Sequence, residues 1–283
     1  MDKAAAAREI LLLGALEEAR AAALAAGIEI VPLKGAALLE LGVFEPGERG
    51  MTDADVLVRP RDLEAFEALL GRLGWRPMPD SADAWVKPSV NAAPPAILDL
   101  HTGLWHIKDT EGLFRWGLEP GPSGLSLGLP DLFIHAAVHP LLHHGEFGPR
   151  ALGDCVRIAA RAPGSGEKFW AQVARKAGLY GIRAALWPAV RRLAAGPASV
   201  PPAALEALRP RGAEKLKAAL FEKAAAGKRS SFLEYLLPAL QRPGLLLRYA
   251  VPERRFMRRR YGAASAALYL LRPLRLLWSV LRR

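Results

Sequence analysis

Apolar and polar positions follow two different periods along this chain, and the change of period divides it. Residues 4–26 set Leu11, Leu12, Leu13, Leu16, Ala23 and Leu24 near helical spacing, and Gly27 supplies a stop. Ile28–Leu33 is a short apolar run that reads as a first strand, with a second helix over Ala36–Leu41. Residues 42–50 hold three glycines and a proline and read as a loop. Ala54–Val58 reads as a second strand. Pro60 opens a helix that runs to Arg72, its buried stripe formed by Leu63, Phe66, Leu69, Leu70 and Leu73. Proline suits a first helical turn because it has no N–H to lose there. Trp85–Lys87 and Ile97–His101 are two further strand candidates, the second preceded by the breaker Pro94-Pro95. From Pro130 onward strand signals vanish and helices continue to the end, punctuated by proline and glycine. No segment repeats with a fixed period.

Alternating short strands and helices predict an α/β-type unit over residues 1–128, and the unbroken helical pattern predicts an all-helical region over 129–283. A chain of 283 residues can bury one large core or two modest ones. The single cysteine, Cys155, excludes an internal disulfide framework and a cysteine-rich zinc site, and fits a reducing cytoplasm. Glu9, Glu17 and Glu18 argue against reading the N-terminal helix as a signal peptide.

Charge changes the picture only in the last third. The net charge is +11, yet residues 201–283 carry 18 of the 39 Lys/Arg and 5 of the 28 Asp/Glu, a net of +13, so the rest stands at −2. Either this third meets a nucleic acid, an anionic lipid or an acidic partner, or its arginines decorate solvated helix faces. Its tail, Arg254 to Tyr261, leads into an apolar stretch, Ala263–Val280, interrupted by Arg272, Pro273 and Arg275. The uninterrupted run is shorter than the roughly 20 residues of a membrane span. It reads as a core helix with snorkelling arginines or as a basic amphipathic helix in weak contact with a membrane surface.

The sharpest chemistry lies at Met51-Thr52-Asp53-Ala54-Asp55. In a strand, side chains alternate faces, so Asp53 and Asp55 would point the same way. Two carboxylates on one face repel unless a cation lies between them, and a hard divalent ion such as Mg²⁺ takes carboxylate oxygens together with substrate phosphates. The alternative is a capping or solvated loop pair. Asp99 and His101 share one face of their strand in the same way.

In their order, Leu33-Lys34-Gly35, Arg49, Asp53-Ala54-Asp55, Leu57-Val58, Asp99-Leu100-His101, His139, His143 and Asp154 resemble a bacterial family of uncharacterised nucleotidyltransferases with a Leu-Lys-Gly opening. That family belongs to the DNA polymerase β-like superfamily, and the likeness covers roughly residues 28–160. The resemblance implies an α+β fold: a small mixed sheet flanked by helices, followed by the helical region. It implies transfer of a nucleotidyl group from a nucleoside triphosphate, ATP among them, to an acceptor. Asp53, Asp55 and Asp99 would be the catalytic carboxylates and the ligands of Mg²⁺, with Mn²⁺ as the alternative. Lys34, Gly35 and Arg49 would meet the phosphates, the glycine by letting backbone approach and the cations by charge. His101 would orient the acceptor, act as a base or play a structural role. The chain departs from the superfamily at Ala36, where a Gly or Ser is usual. The acceptor stays open between tRNA or another RNA, a small molecule and a protein. The rival reading is a non-catalytic nucleotide- or partner-binding protein that keeps the fold.

His135, His139 and His143 stand at successive i+4 steps and form one helical stripe. With His144 and Asp154 they line an interface or, as the lesser alternative, make a separate hydrolytic metal centre.

Overall fold

The computed structural model describes residues 2–79, 81, 83–89, 93–104, 106–163, 166–196, 200–226, 237, 239–241, 251–252, 254–262 and 264–281. Helix α1 spans Lys3–Ala25, and the Asp2 carboxylate caps it by accepting from the amides of Ala4 and Ala5. Its buried stripe includes Leu12, Leu16, Ala19 and Ala23 but also two charged residues, Glu9 and Arg20. Gly27 takes φ +71° and lets the chain reverse, with the Ile28 amide donating to the Ala23 carbonyl. That bond ties Ile28 to the helix end, so strand β1 covers only Ile30–Pro32 rather than the whole run from 28 to 33.

Helix α2, Lys34–Glu40, starts two residues earlier than its apolar pattern suggests. Strand β2 is Ala54–Val58, and all five of its residues are buried. A 3₁₀ turn at Pro60–Asp62 leads into α3, Leu63–Arg72. Phe66, Leu69 and Leu70 are its buried side chains, while Leu63 and Leu73 are half-buried. Strands β3 (Arg76–Pro77), β4 (Ala84–Lys87) and β5 (Ala96–His101) complete a five-stranded sheet ordered β1-β2-β5-β4-β3. β2 and β5 run parallel at its centre, and the other neighbours are antiparallel. The sheet is therefore mixed, and α1 packs against β2, β5 and α3.

The chain from 110 to 127 adds elements the sequence pattern did not announce. Helix α4 is Thr110–Trp116, capped by Asp109, and β6 (Leu118–Gly121) and β7 (Gly124–Leu127) form a hairpin beside β1. Its two-residue turn, Pro122-Ser123, is flanked by glycines, and Gly124 takes φ +141°.

The chain divides into two compact units, residues 1–128 and 129–283. After Leu127 no described residue lies in a strand. Helix α5, Leu129–His139, runs into a π-helical turn at Pro140–His144 that ends at Gly145, φ +68°. α5 packs against α6 (Pro149–Ala160), α7 (Glu167–Tyr180) and α8 (Arg183–Ala194), and nearly all its residues are buried. Its one buried carboxylate, Asp131, is held by Lys176 at 2.5 Å and by the Tyr180 hydroxyl at 2.8 Å. Trp170 stacks edge-on against Phe133, centroids 5.1 Å apart. α9 (Pro202–Leu208) and α10 (Glu214–Ala226) follow. Further on lie α11 (Arg254–Tyr261) and α12 (Ala266–Leu281). Arg272 of α12 is buried, donating to the Tyr261 hydroxyl at 2.8 Å and lying 4.6 Å over the Phe256 ring. Among the described residues no helix is long and apolar enough to cross a membrane.

Candidate functional site

The site is built on the parallel pair at the sheet centre. In the β2–β5 register Asp55 stands opposite Asp99, and Leu57 opposite His101. Paired residues on neighbouring strands share a face, so Asp55, Asp99 and His101 converge on one side of the sheet. β5 alternates cleanly: Leu98 and Leu100 are buried, while Asp99 and His101 are half-buried. The two leucines fix the register from one face, because a slip of one residue would drive the carboxylate into the core.

One ligand atom from each of Asp55, Asp99 and His101 lies within 4.8 Å of the others, a group that could hold a metal ion. Asp55 Oδ1 is the hub. Lys34 Nζ donates to it at 2.5 Å, and His101 Nε2 lies 2.7 Å away. An ionised carboxylate oxygen only accepts, so Nε2 carries the proton in this arrangement. Asp99 Oδ2 is 3.6 Å from the same nitrogen.

These contacts separate the two acids. Burial pushes the Asp55 carboxyl up, but the His101 hydrogen bond and the Lys34 and His101 charges prevail and hold it down at about 2. Burial likewise raises Asp99, and the nearby Asp55 and Asp83 charges add to that rise against the pull of His101 and Lys34. Asp55 is thus a fixed anion, and Asp99 is the carboxylate of the pair that gives up its proton less readily.

Lys34 opens α2 with φ +46°, a left-handed conformation that a residue with a side chain adopts at a cost of about 1–3 kcal/mol. The strain occurs where β1 is locked to β2: the Leu33 amide donates to the Asp55 carbonyl at 2.8 Å. This bond and the turn after it carry the Lys34 ammonium to Asp55. Gly35 follows, and any larger residue there would displace two neighbouring side chains. A Cβ there would stand 2.5 Å from Arg49 Nη1 and 2.8 Å from Met51 Sδ. Arg49, from the glycine-rich loop, therefore lies directly over the Lys34-Gly35 turn. Ala36 is buried.

Of the residues singled out from sequence, Lys34, Gly35, Arg49, Asp55, Asp99 and His101 are drawn together. Asp53 is not part of the three-residue group. It precedes β2, in a bend, and its Oδ1 accepts from the Thr52 hydroxyl at 3.1 Å. The strand alternation assumed for Asp53 and Asp55 starts one residue too late to include it.

Two residues have structural roles that the sequence did not show. Glu9 is fully buried in α1, and its Oε2 accepts from the Gly47 amide at 2.6 Å, tethering the loop that carries Arg49. Arg20, also buried, forks onto both carboxylate oxygens of Glu40 and so holds α2 against α1. The signal was available: both are charges at positions of the apolar stripe of α1, where a buried partner is required.

The histidine stripe forms a chain of ring contacts in the second unit, stacked only between His139 and His143. Centroids of His135 and His139 are 5.0 Å apart, those of His139 and His143 5.0 Å, and those of His143 and His144 4.6 Å. Among the described residues the metal-type grouping does not extend to these four.

No curated protein and no solved structure matches the chain. A family model described as "uncharacterised nucleotidyltransferase" does match, over residues 2–195. The match takes in α1, the sheet, the Lys34-Gly35 turn and Asp55, Asp99 and His101, and runs on to α8. It reaches further in both directions than the motifs from Leu33 to Asp154. On that span, more than half of its length, the chain belongs to the uncharacterised nucleotidyltransferase family.

Proposed function

We infer that the protein is a metal-dependent nucleotidyltransferase that moves a nucleoside monophosphate from an NTP, ATP among the candidates, to an acceptor hydroxyl or phosphate. The observation that carries this reading is the convergence of Asp55, Asp99 and His101 within 4.8 Å, beside the Lys34 ammonium. Two carboxylates and one imidazole form a mixed oxygen and nitrogen donor set that suits Mn²⁺ as well as Mg²⁺. Asp55 and Asp99 would hold the ion, with Asp53 joining from the bend before β2. When bound, the ion would activate the acceptor oxygen and neutralise the leaving pyrophosphate.

The chain's own residues do the rest. Lys34 and Arg49 sit against the Gly35 turn and supply positive charge to the triphosphate. Gly35, with no side chain, leaves room for the Arg49 guanidinium over the turn and so keeps that charge beside the phosphates. His101 donates from Nε2 to Asp55 and cannot ligate through that nitrogen while it does so. A cation on Asp55 Oδ1 would replace the His101 and Lys34 contacts there, and His101 would offer Nε2 to it only as the Nδ1–H tautomer. With the cation bound, the Lys34 ammonium would be available to the triphosphate.

The acceptor is an RNA such as tRNA, a small molecule or a protein side chain, and the cytoplasm is the working compartment. Incubation with radiolabelled NTPs and cell lysate, with and without Mg²⁺ or Mn²⁺, tests the reading. Label should appear in one class of acceptor, and Asp55→Asn should abolish it. Transfer that survives Asp55→Asn at full rate would overturn the assignment.

A second reading is a nucleotide-binding protein without turnover. The contact that favours it is the Lys34 ammonium on Asp55 Oδ1, an internal cation at the oxygen a metal would use. Calorimetry separates the two: NTP binding that is indifferent to Mg²⁺ and gives no pyrophosphate selects the second.

A further inference from the structure

The helical unit carries a cationic cleft that the site on the sheet does not use. A cavity of about 230 Å³ is lined by Arg183, Ala207, Arg209 and Arg211. That volume is below the roughly 300–1,000 Å³ typical of organic-ligand pockets, and the lining is cationic where such pockets are mostly apolar. Size and chemistry both point to a small anion.

Arg183 is the first residue of α8, whose N-cap residue Ile182 makes no side-chain cap bond and whose first turn holds no acid. The Arg183 guanidinium lies against Gly178 of α7. A Cβ at Gly178 would be 2.7 Å from its Nη2 and 3.3 Å from its Cζ. Glycine at 178 therefore leaves the space this guanidinium occupies. Arg183 Nε is buried and has no hydrogen-bond partner among the described residues. A buried guanidinium N–H without an acceptor is costly, and guanidinium cannot shed its proton to escape that cost.

Arg209 and Arg211 follow the end of α9 and are largely exposed. Both reach the same carboxylate, Glu206, at 3.4 Å. Glu206 thus meets two of the three guanidinium groups, and Glu214 Oε2 accepts from the Arg211 amide at 3.3 Å, so among the described residues the three arginines outnumber the acids that contact them. Guanidinium forks present paired N–H groups that match the oxygens of a phosphate.

We propose that the cleft between the start of α8 and the end of α9 binds a phosphate group, with Arg183, Arg209 and Arg211 as its ligands. The phosphate comes either from a free phosphate anion or from the backbone of a single RNA strand. The site is independent of the metal-type group on the sheet, so either can fail alone.

The test uses the full chain with two probes: inorganic phosphate by calorimetry, and a short fluorescein-labelled oligouridylate by anisotropy. Binding in either arm is expected, and the arm that binds identifies the source. Arg209→Gln with Arg211→Gln should weaken it about tenfold or more, since each replaced contact is a charge-assisted hydrogen bond. Glu206→Gln should tighten it several-fold by removing the competing carboxylate. Gly178→Ala, which displaces the Arg183 guanidinium, should weaken it without touching the two exposed arginines. Failure of both probes to bind would overturn the proposal. So would equal affinity in the Arg209→Gln, Arg211→Gln protein, or binding lost instead with Lys34→Met.

Discussion

The centre of the sheet and the arginine cleft concentrate opposite charges by opposite means. Asp55 is buried, so its charge persists only because His101 and Lys34 stand at 2.7 and 2.5 Å from one oxygen. Arg209 and Arg211 sit past a helix end, and water already pays for most of their charge. The first arrangement depends on strand register and core packing. The second depends on three side chains and one glycine. The family match repeats the division: it includes Arg183 but ends at residue 195, before Arg209 and Arg211. A charge site inside a core is bound to its fold, and one at helix ends can be added or lost without disturbing it.

The strongest way to break that contrast is at its hub. Asp55→Asn should lower nucleotidyl transfer by about 10³-fold, several kcal/mol of barrier, as read by release of labelled pyrophosphate. Next comes packing. Leu57, on β2, is fully buried, and Leu57→Ala should cost roughly 2–5 kcal/mol in urea unfolding. Leu216, on exposed α10 surface, should lose no more than about 0.5 kcal/mol on the same change. Equal losses at the two leucines would erase the distinction between the regions.

Acid titration sharpens the comparison further. Asp55 is held at about 2, below its ordinary 3.8. A depressed carboxyl stabilises the fold fully above its unfolded value and loses that contribution as pH falls toward the folded one. In metal-free protein, roughly 2 kcal/mol should therefore disappear between about pH 4 and pH 2, and Asp55→Asn should flatten that limb. Asp99, raised by burial, works in the opposite direction: its ionisation costs stability, so Asp99→Asn should raise the neutral plateau. A modest effect on stability is expected at Gly35→Ala. The clash falls on the ends of flexible side chains, Arg49 and Met51, so stability should drop by only about 1 kcal/mol. The KM for NTP should nonetheless rise, because the displaced guanidinium is the one assigned to the phosphates.

Much of this was legible in residue order, and the failures have physical causes. Asp99 and His101 could be placed on one face because Leu98 and Leu100 make the alternation of β5 unambiguous. The apolar run gave β2 its observed start at Ala54, but strand alternation was carried one residue beyond it to Asp53, which lies in the bend before the strand. Lys34 was expected before its helix rather than within it, since a left-handed φ at a lysine leaves no compositional trace. The α4 segment and the β6–β7 hairpin drew no reading from sequence, because a seven-residue helix and two four-residue strands are too short for a period to show. Glu9 and Arg20 were read past because their partners, Gly47 and Glu40, lie 38 and 20 residues away. Pairing at such separation is decided by the folded sheet, not by local pattern.

The contact between Gly35 and Arg49 carries a consequence for descent. The two positions are separated by a loop of free length but share one volume, which a methyl group would overfill. In diverged members of the family they should change together. A side chain at 35 should coincide with a shorter residue at 49, and an arginine at 49 with glycine at 35. The loop between them can lengthen or shorten meanwhile, provided its Gly47 amide still reaches the carboxylate of α1.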